Sequence, residues 1–92
     1  MTNIALKELC KAFLSLKNEK EMLNFLKDIC TPQEIKALSE RLRVCKLLEK
    51  EKHSYREIHK KTGASLTTIG RVARFLREEN NGGYKIVLKN LK

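Results

Sequence analysis

The residues best suited to chemistry form a short run of small polar side chains ending in one long cation, SLTTIGR at positions 65–71. Hydroxyl groups and a glycine backbone can approach the edges of nucleic-acid bases, and an arginine can donate paired hydrogen bonds to a base or a phosphate. If Ser65 caps a helix, the free N–H groups of the first turn can also bind phosphate. The run therefore predicts a surface that reads nucleic acid.

This run belongs to the second of two short predicted helices. The segment SYRE at 54–57 is a capping box that starts the first helix, which ends near Lys61. Gly63 then supplies a turn residue that tolerates positive φ, and Ser65 caps a helix over about 66–79. Two short helices around a glycine turn, with apolar residues facing inward, are typical of a helix–turn–helix.

The charge distribution favours the same interpretation. The chain carries 20 Lys+Arg against 11 Asp+Glu, a formal net charge of +9, which favours a polyanionic partner. The excess is densest in residues 54–77, which hold 6 basic residues and 1 acidic residue. Two capped helices carry glutamate three residues after the cap, but the helix capped by Ser65 carries Thr68 there. A hydroxyl at that position would not repel DNA phosphates as a carboxylate would.

The sequence gives little support for catalysis or for a bound metal or cofactor. No glycine-rich phosphate loop is present, and His53 and His59 have no ligand partners at useful spacing. Cys10, Cys30 and Cys45 form no CxxC pair, so we interpret them as small buried or half-buried hydrophobes of a reduced cytoplasmic protein. The N-terminus has no continuous apolar run, so neither a signal peptide nor a membrane span is expected.

The remaining periodicity predicts helices along the whole chain. Residues 3–17 have helical apolar spacing, Asn18 can cap a second helix, and TPQE at 31–34 starts a third that runs over about 33–51. The tail after Gly83 has both strand and helix propensity, and we favour a helix because a lone strand would have no partner. The prediction is an all-α single domain, residues 1–92, of about six helices with a helix–turn–helix at 54–79.

Residues 31–76 together resemble the tryptophan repressor family. The resemblance is carried by the Thr-Pro helix start, the Arg-x-Arg pair, the Ser-x-x-Glu helix start, Gly-Ala at the turn and a Thr-x-Ile-x-Arg motif. The tail GGYKIVL at 82–88 is similar to the Trp-repressor-related branch YerC/YecD. The resemblance implies an intertwined all-α homodimer whose two recognition helices enter successive major grooves of double-stranded DNA, about 34 Å apart.

The resemblance also assigns roles to individual residues. The DNA-facing residues carried over by position are Tyr55, Arg56, His59, Ser65, Leu66, Thr67 and Gly70. Lys60 and Lys61 are added as phosphate contacts from their charge alone.

A candidate effector pocket follows from the same resemblance. In the family, two arginines hold the indole ring of the tryptophan corepressor, and Arg41 and Arg71 match them. Thr31 and Thr68 match pocket threonines. Val72 and Phe75 stand where the repressor needs a glycine and a serine, so they should fill the slot. Tryptophan is therefore not the expected ligand, and no cofactor is predicted. Whether the arginines hold another small ligand, pair with an acid such as Glu40 or position phosphate contacts stays open.

The sequence thus predicts a cytoplasmic, DNA-binding transcription regulator of the repressor kind, a homodimer without catalytic activity or membrane association. The alternative is a protein-interaction or structural helical module that does not bind DNA. A DNA-binding domain of the replication-initiator type shares the two-helix unit, but such domains are usually fused to a nucleotide-hydrolysing domain.

Overall fold

The computed structural model describes residues 3–92, which form six α-helices and no strand. This arrangement confirms the all-α prediction. The helices are α1 (Asn3–Leu14), α2 (Glu19–Ile29), α3 (Pro32–Lys50), α4 (Tyr55–Thr62), α5 (Leu66–Arg77) and α6 (Gly83–Asn90).

The chain divides into two compact units, residues 1–35 and 36–92, with the boundary inside α3. Each unit is described by itself below. The prediction of one domain over residues 1–92 stays a prediction.

Local capping sets the starts of α3 and α4. The Thr31 N–H donates to the Glu34 carboxylate (2.8 Å), and the Glu34 N–H donates to the Thr31 hydroxyl (3.1 Å). Ser54 and Glu57 repeat this reciprocal pair at 2.8 and 3.1 Å. Hydrogen bonds from the backbone and side chain of Ser54 are the main reason that the pKa of Glu57 is lowered. Both predicted capping boxes are therefore confirmed.

The core lies in the second unit, where one face of α5 packs against residues from α3, α4 and α6. Ile58 and Ile69 are completely buried, and Ala64 between them is 1% exposed. Burial of such aliphatic side chains contributes roughly 1.5–3 kcal/mol each. The buried core residues are Val44, Cys45, Leu48, Ile58, Ala64, Ile69, Val72, Ala73, Leu76 and Leu88.

The first unit has no comparable core, because none of its described residues, 3–35, is buried. Phe13 of α1 meets Phe25 of α2 edge to face, with ring centroids 5.3 Å apart. Large apolar side chains nevertheless remain uncovered: Ile4 is 73% exposed and Leu14 is 84% exposed. The helical periodicity predicted for this segment is confirmed, but its apolar stripe is not buried within the chain.

Two elements differ from their predicted bounds and one ambiguity is resolved. α1 ends at Leu14 and α5 at Arg77, short of the predicted 17 and 79. The tail forms α6, and Leu88 joins the core. A helix allows that single contact with α5, whereas a lone strand would leave its backbone groups unpaired.

The cysteines do not behave alike. Cys45 is fully buried, and burial, helped by the nearby Glu49 charge, raises its pKa to about 11. Cys30 is half-buried, in line with the expectation for these residues. Cys10 is exposed, so the expectation of a buried or half-buried residue is wrong for it. The exposed face of α1 on which it lies has no covering partner within the first unit.

Two glycines on either side of the α5 start offer a test of the turn. Gly63 has φ +79°, whereas Gly70 lies inside a helix, and an added Cβ would meet nothing within 4 Å at either. Gly63→Ala should therefore lower the free energy of unfolding by about 1–2 kcal/mol through backbone strain alone. Gly70→Ala should leave it unchanged or raise it by up to about 1 kcal/mol. Chemical denaturation at one fixed protein concentration measures both. Equal effects of the two substitutions would show that the left-handed turn is not required.

Candidate nucleic-acid interface

The turn between α4 and α5 is held by hydrogen bonds between its own residues and the last residues of α4. Gly63 takes the left-handed conformation, and its N–H donates to the carbonyl of His59 at 2.8 Å. The Ala64 N–H donates to the Thr62 hydroxyl at 3.1 Å, and that hydroxyl donates to the carbonyl of Ile58 at 2.8 Å. The turn therefore fixes the relation between the two helices without using any side chain of α5.

The start of α5 is capped by hydroxyls rather than by a carboxylate. The Ser65 oxygen accepts from the Thr68 N–H at 3.1 Å and its hydroxyl donates to the Thr68 hydroxyl, also at 3.1 Å. The first turn of α5 contains no acidic residue. The positive end of the helix dipole is therefore not neutralised by the protein itself.

The predicted base-reading residues share one exposed face at this helix start. Leu66 is 59% exposed although it is large and apolar, Thr67 and Ser65 are exposed, and Gly70 is half-buried one turn further on. Ile69, which follows Leu66 by three residues, is completely buried and belongs to the core. The packing of α5 therefore turns the small polar residues outward as a group.

On α4, four of the predicted DNA-facing residues are exposed: Tyr55, Arg56, His59 and Lys60. The His59 ring is oriented, because its Nδ1 donates to the carbonyl of Ala64 in the turn at 2.7 Å. That bond places the proton on Nδ1 and leaves Nε2 on the outer edge of the ring. The Tyr55 and His59 positions are one helical turn apart and lie on the side of α4 that faces the turn.

Lys61 is separated from this group. Its carbonyl accepts a hydrogen bond from the Arg43 guanidinium at 3.4 Å, and its side chain lines a recess with residues of α3. Two residues further along than His59, it points away from the His59 side of α4. Eight of the nine predicted DNA-facing residues are therefore exposed or half-buried on α4 and the start of α5, whereas Lys61 lines the recess beside α3. Their role in binding DNA stays a prediction.

A second recess, of about 410 Å³, includes part of the candidate effector pocket. Its lining residues are Arg41, Arg71, Val72, Phe75, Asn81, Gly83, Tyr84 and Val87. Thr68 is not among these lining residues, and its hydroxyl accepts from the Ser65 hydroxyl at the α5 cap. The hydroxyl of Thr31 accepts from the Glu34 N–H at the α3 cap. The predicted set of four polar residues is therefore reduced here to its two arginines.

Val72 and Phe75 both line this recess, and the expectation that they fill the slot for an indole stays a prediction. Val72 is drawn into the core, with 1% of its surface exposed. The Phe75 ring contacts two arginines. The Arg71 guanidinium lies over the ring, 4.5 Å from its centroid, and the Arg74 guanidinium lies 5.4 Å from the centroid. Such cation–π contacts attract the guanidinium to the ring of its own chain.

Sequence reasoning missed Asn81, Tyr84 and Val87 in this recess. Burial is the main reason that the pKa of Tyr84 is raised, with Cys45 adding to it and the charges of Arg41 and Arg71 opposing it. The phenol therefore stays protonated near neutral pH. Its position depends on how α6 returns to α5, which no local sequence signal reveals.

The described residues contain neither a metal-binding cluster nor a membrane-spanning helix. Among residues 3–92, no group of three or more His, Cys, Asp or Glu side chains is arranged to hold a metal ion. Within the same residues, no helix is both long enough and apolar enough to cross a membrane.

Known proteins are similar to this chain in sequence, and two solved structures are similar to it in fold. A Bacillus subtilis protein described as Uncharacterized protein YerC is 40% identical over 87 residues, which cover 95% of this chain and 82% of that protein. The crystal structure of a TrpR-like protein from Eubacterium eligens superposes with a TM-score of 0.88 and 44% identity, over 95% of this chain and 88% of that one. A candidate Trp repressor from Staphylococcus aureus gives a TM-score of 0.87 and 41% identity, over 95% and 85% of the two chains.

The family model of the Trp repressor protein matches residues 4–92, nearly the entire chain. The match includes the capped helices, the glycine turn and the α6 tail described above. Together with the 40% identity to the Bacillus protein, it establishes the family, and this chain belongs to the Trp repressor family.

Proposed function

We propose that this protein is a sequence-specific DNA-binding transcription regulator of the repressor kind that acts in the cytoplasm as a homodimer. The observation that carries the proposal is the first turn of α5, where small polar residues are exposed over a rigid turn and no acid is present. Ser65, Thr67 and Gly70 would face base edges, and Leu66 would contact a thymine methyl group.

Side chains of α4 would supply the phosphate contacts that position this helix. Arg56 and Lys60 are exposed one turn apart, and the oriented His59 and the Tyr55 hydroxyl flank them. Glu57, the one acidic residue of α4, is committed to the Ser54 cap. Contacts of this kind fix register and orientation, while the α5 residues supply the sequence preference.

Uncovered apolar surface supports the homodimer. None of the described residues of α1 and α2 is buried, and Ile86 of α6 and Leu91 just after it are 61% and 57% exposed. A chain of this length buries little apolar surface alone, and association is a common way to bury more. A second copy, carrying the same apolar helices, would cover these faces symmetrically.

The stacked arginine supports regulation without tryptophan. An indole held by two guanidinium groups would need the face of Arg71 that the Phe75 ring now occupies at 4.5 Å. A bound indole would have to displace the Phe75 ring and break its contact with Arg71. The Phe75 contact is intramolecular, so it does not carry the entropy cost of binding a free ligand. We therefore infer that tryptophan is not the corepressor.

The homodimer is tested by a substitution on α1. Leu14→Asp places a charge on a residue that is 84% exposed in the single chain, so it should not disturb the core of residues 36–92. If a second copy buries Leu14, this substitution should raise the dimer dissociation constant at least tenfold, about 1.4 kcal/mol. Light scattering across a dilution series measures it, and Lys17→Asp, at an exposed position nearby, is the control. A wild-type protein that is monomeric at every concentration would refute the homodimer.

DNA binding is tested through the salt dependence of affinity. Removing Arg56 and Lys60 together, as Arg56→Ala with Lys60→Ala, should weaken binding to any duplex. It should reduce the slope of log affinity against log salt by about 2 per bound protomer. Lys85→Ala with Lys89→Ala removes two exposed cations at the same helical spacing on α6 and should change the slope little. Fluorescence anisotropy with a mixed duplex pool measures both. The DNA-binding proposal fails if the wild type does not bind that pool at low salt.

The absence of tryptophan control is tested by calorimetry. The wild type should give no saturable heat with tryptophan, and its DNA affinity should be the same with and without the amino acid. Phe75→Ser removes the ring from Arg71 and should bind tryptophan more tightly than the wild type does. Micromolar binding by the wild type, near −8 kcal/mol, would show that Phe75 does not block the site.

A further inference from the structure

The recess between α3 and α4 is lined almost entirely by cations. Its volume is about 400 Å³, and its lining residues are Arg43, Lys46, Leu47, Lys50 and Lys61. All four cations are exposed, and the half-buried Leu47 forms the apolar part of the lining. No carboxylate lines this recess, which we call the α3–α4 recess.

The positive charge of the recess is not neutralised within the described part of the chain. Ion pairs in residues 3–92 join Arg74 to Glu79 and Lys92 to Glu49, and none includes a cation of the recess. After the hydrogen bonds from Ser54, the Lys61 charge also helps to lower the pKa of Glu57, but the Glu57 carboxylate is bonded to the Ser54 N–H and does not line the recess. Four like charges thus face one space without an internal counterion, and they repel each other.

The layout of the cations fits an extended anion better than a small one. Arg43, Lys46 and Lys50 lie along two turns of α3, a length of about 10 Å, and Lys61 stands beside them on α4. A single small anion would need several donors converging on one point, partly sheltered from water. A strand of nucleic acid presents its phosphates in a regular row, so a row of cations about 10 Å long can face more than one of them.

One of the cations is already oriented. The Arg43 guanidinium donates to the Lys61 carbonyl at 3.4 Å, which joins the C-terminal end of α4 to α3 and holds the two sides of the recess together. The lysines remain free to follow a backbone of variable geometry, since each is a flexible point charge. Such a surface binds phosphates without reading sequence.

We propose that the α3–α4 recess binds the phosphate backbone of duplex DNA, as a contact surface additional to the recognition face of α4 and α5. This proposal rests on the proposed DNA binding and extends it to α3. The recess supplies affinity and salt dependence, while sequence preference stays with α5. Lys61 thereby belongs to this surface and not to the Arg56 and Lys60 group.

The test removes charge from the recess alone. Lys46→Gln with Lys50→Gln keeps helix-favouring side chains at exposed positions, so circular dichroism and the unfolding midpoint should not change. Its affinity for duplex DNA should fall about tenfold or more near 0.1 M salt, and the salt slope should decrease by about 2 per bound protomer. The ratio of affinities for a selected site and for a mixed pool should stay the same. The matched control is Lys85→Gln with Lys89→Gln.

The outcomes separate this proposal from the one on which it rests. If the wild type binds DNA and the recess variant keeps the wild-type slope, the recess proposal is wrong and the helix–turn–helix proposal stands. An equal loss in the control variant would also overturn it, because general charge and not local contact would then explain the effect. If the wild type binds no DNA, both proposals fall.

Discussion

The arrangement of the DNA-facing side chains depends on Ala64 in the turn, whose side chain is buried and whose N–H and carbonyl are both hydrogen-bonded. It is 1% exposed and belongs to the same buried cluster as the fully buried Ile58 of α4 and Ile69 of α5. Its N–H donates to Thr62 and its carbonyl accepts from His59. A larger side chain would overpack the helix junction, and a change in the backbone would break two hydrogen bonds at once. The outward orientation of the base-reading residues follows from this junction.

The same hydrogen bonds connect structure to proposed function. His59 serves the turn through Nδ1, so the ring that would meet phosphate is fixed by the same bond that closes the helix junction. Thr68 also has two effects. Its hydroxyl completes the cap of α5, and because it is uncharged the start of the helix carries no negative charge. In both cases a polar group is satisfied internally, and its outward side stays available to a ligand.

The sequence predicted the elements whose signals are local and missed those that depend on long-range packing. Caps, turn glycine and apolar periodicity were enough for the first five helices, because each signal lies in consecutive residues. The sixth was inferred because a lone strand would have no partner. The recess around Tyr84 depends on how α5 and α6 pack, which no local sequence signal reveals. The stacking of Phe75 under Arg71 joins two residues one helical turn apart on α5, and matching positions to the family did not reveal it. Lys61 was grouped with Lys60 by charge, although neighbours in sequence point about 100° apart on a helix.

The cations without an ion-pair partner repel each other, and a bound polyanion would neutralise this repulsion. Two ion pairs within the described residues leave the recess and the α4 face uncompensated, in a chain with a formal charge of +9. Repulsion among these groups opposes the compact fold, and salt relieves it by screening. Salt also weakens binding to DNA, because it reduces the gain from releasing counterions. The same charges therefore make added salt favour folding and oppose DNA binding, whereas phosphates bound at both surfaces would neutralise the repulsion while forming the complex.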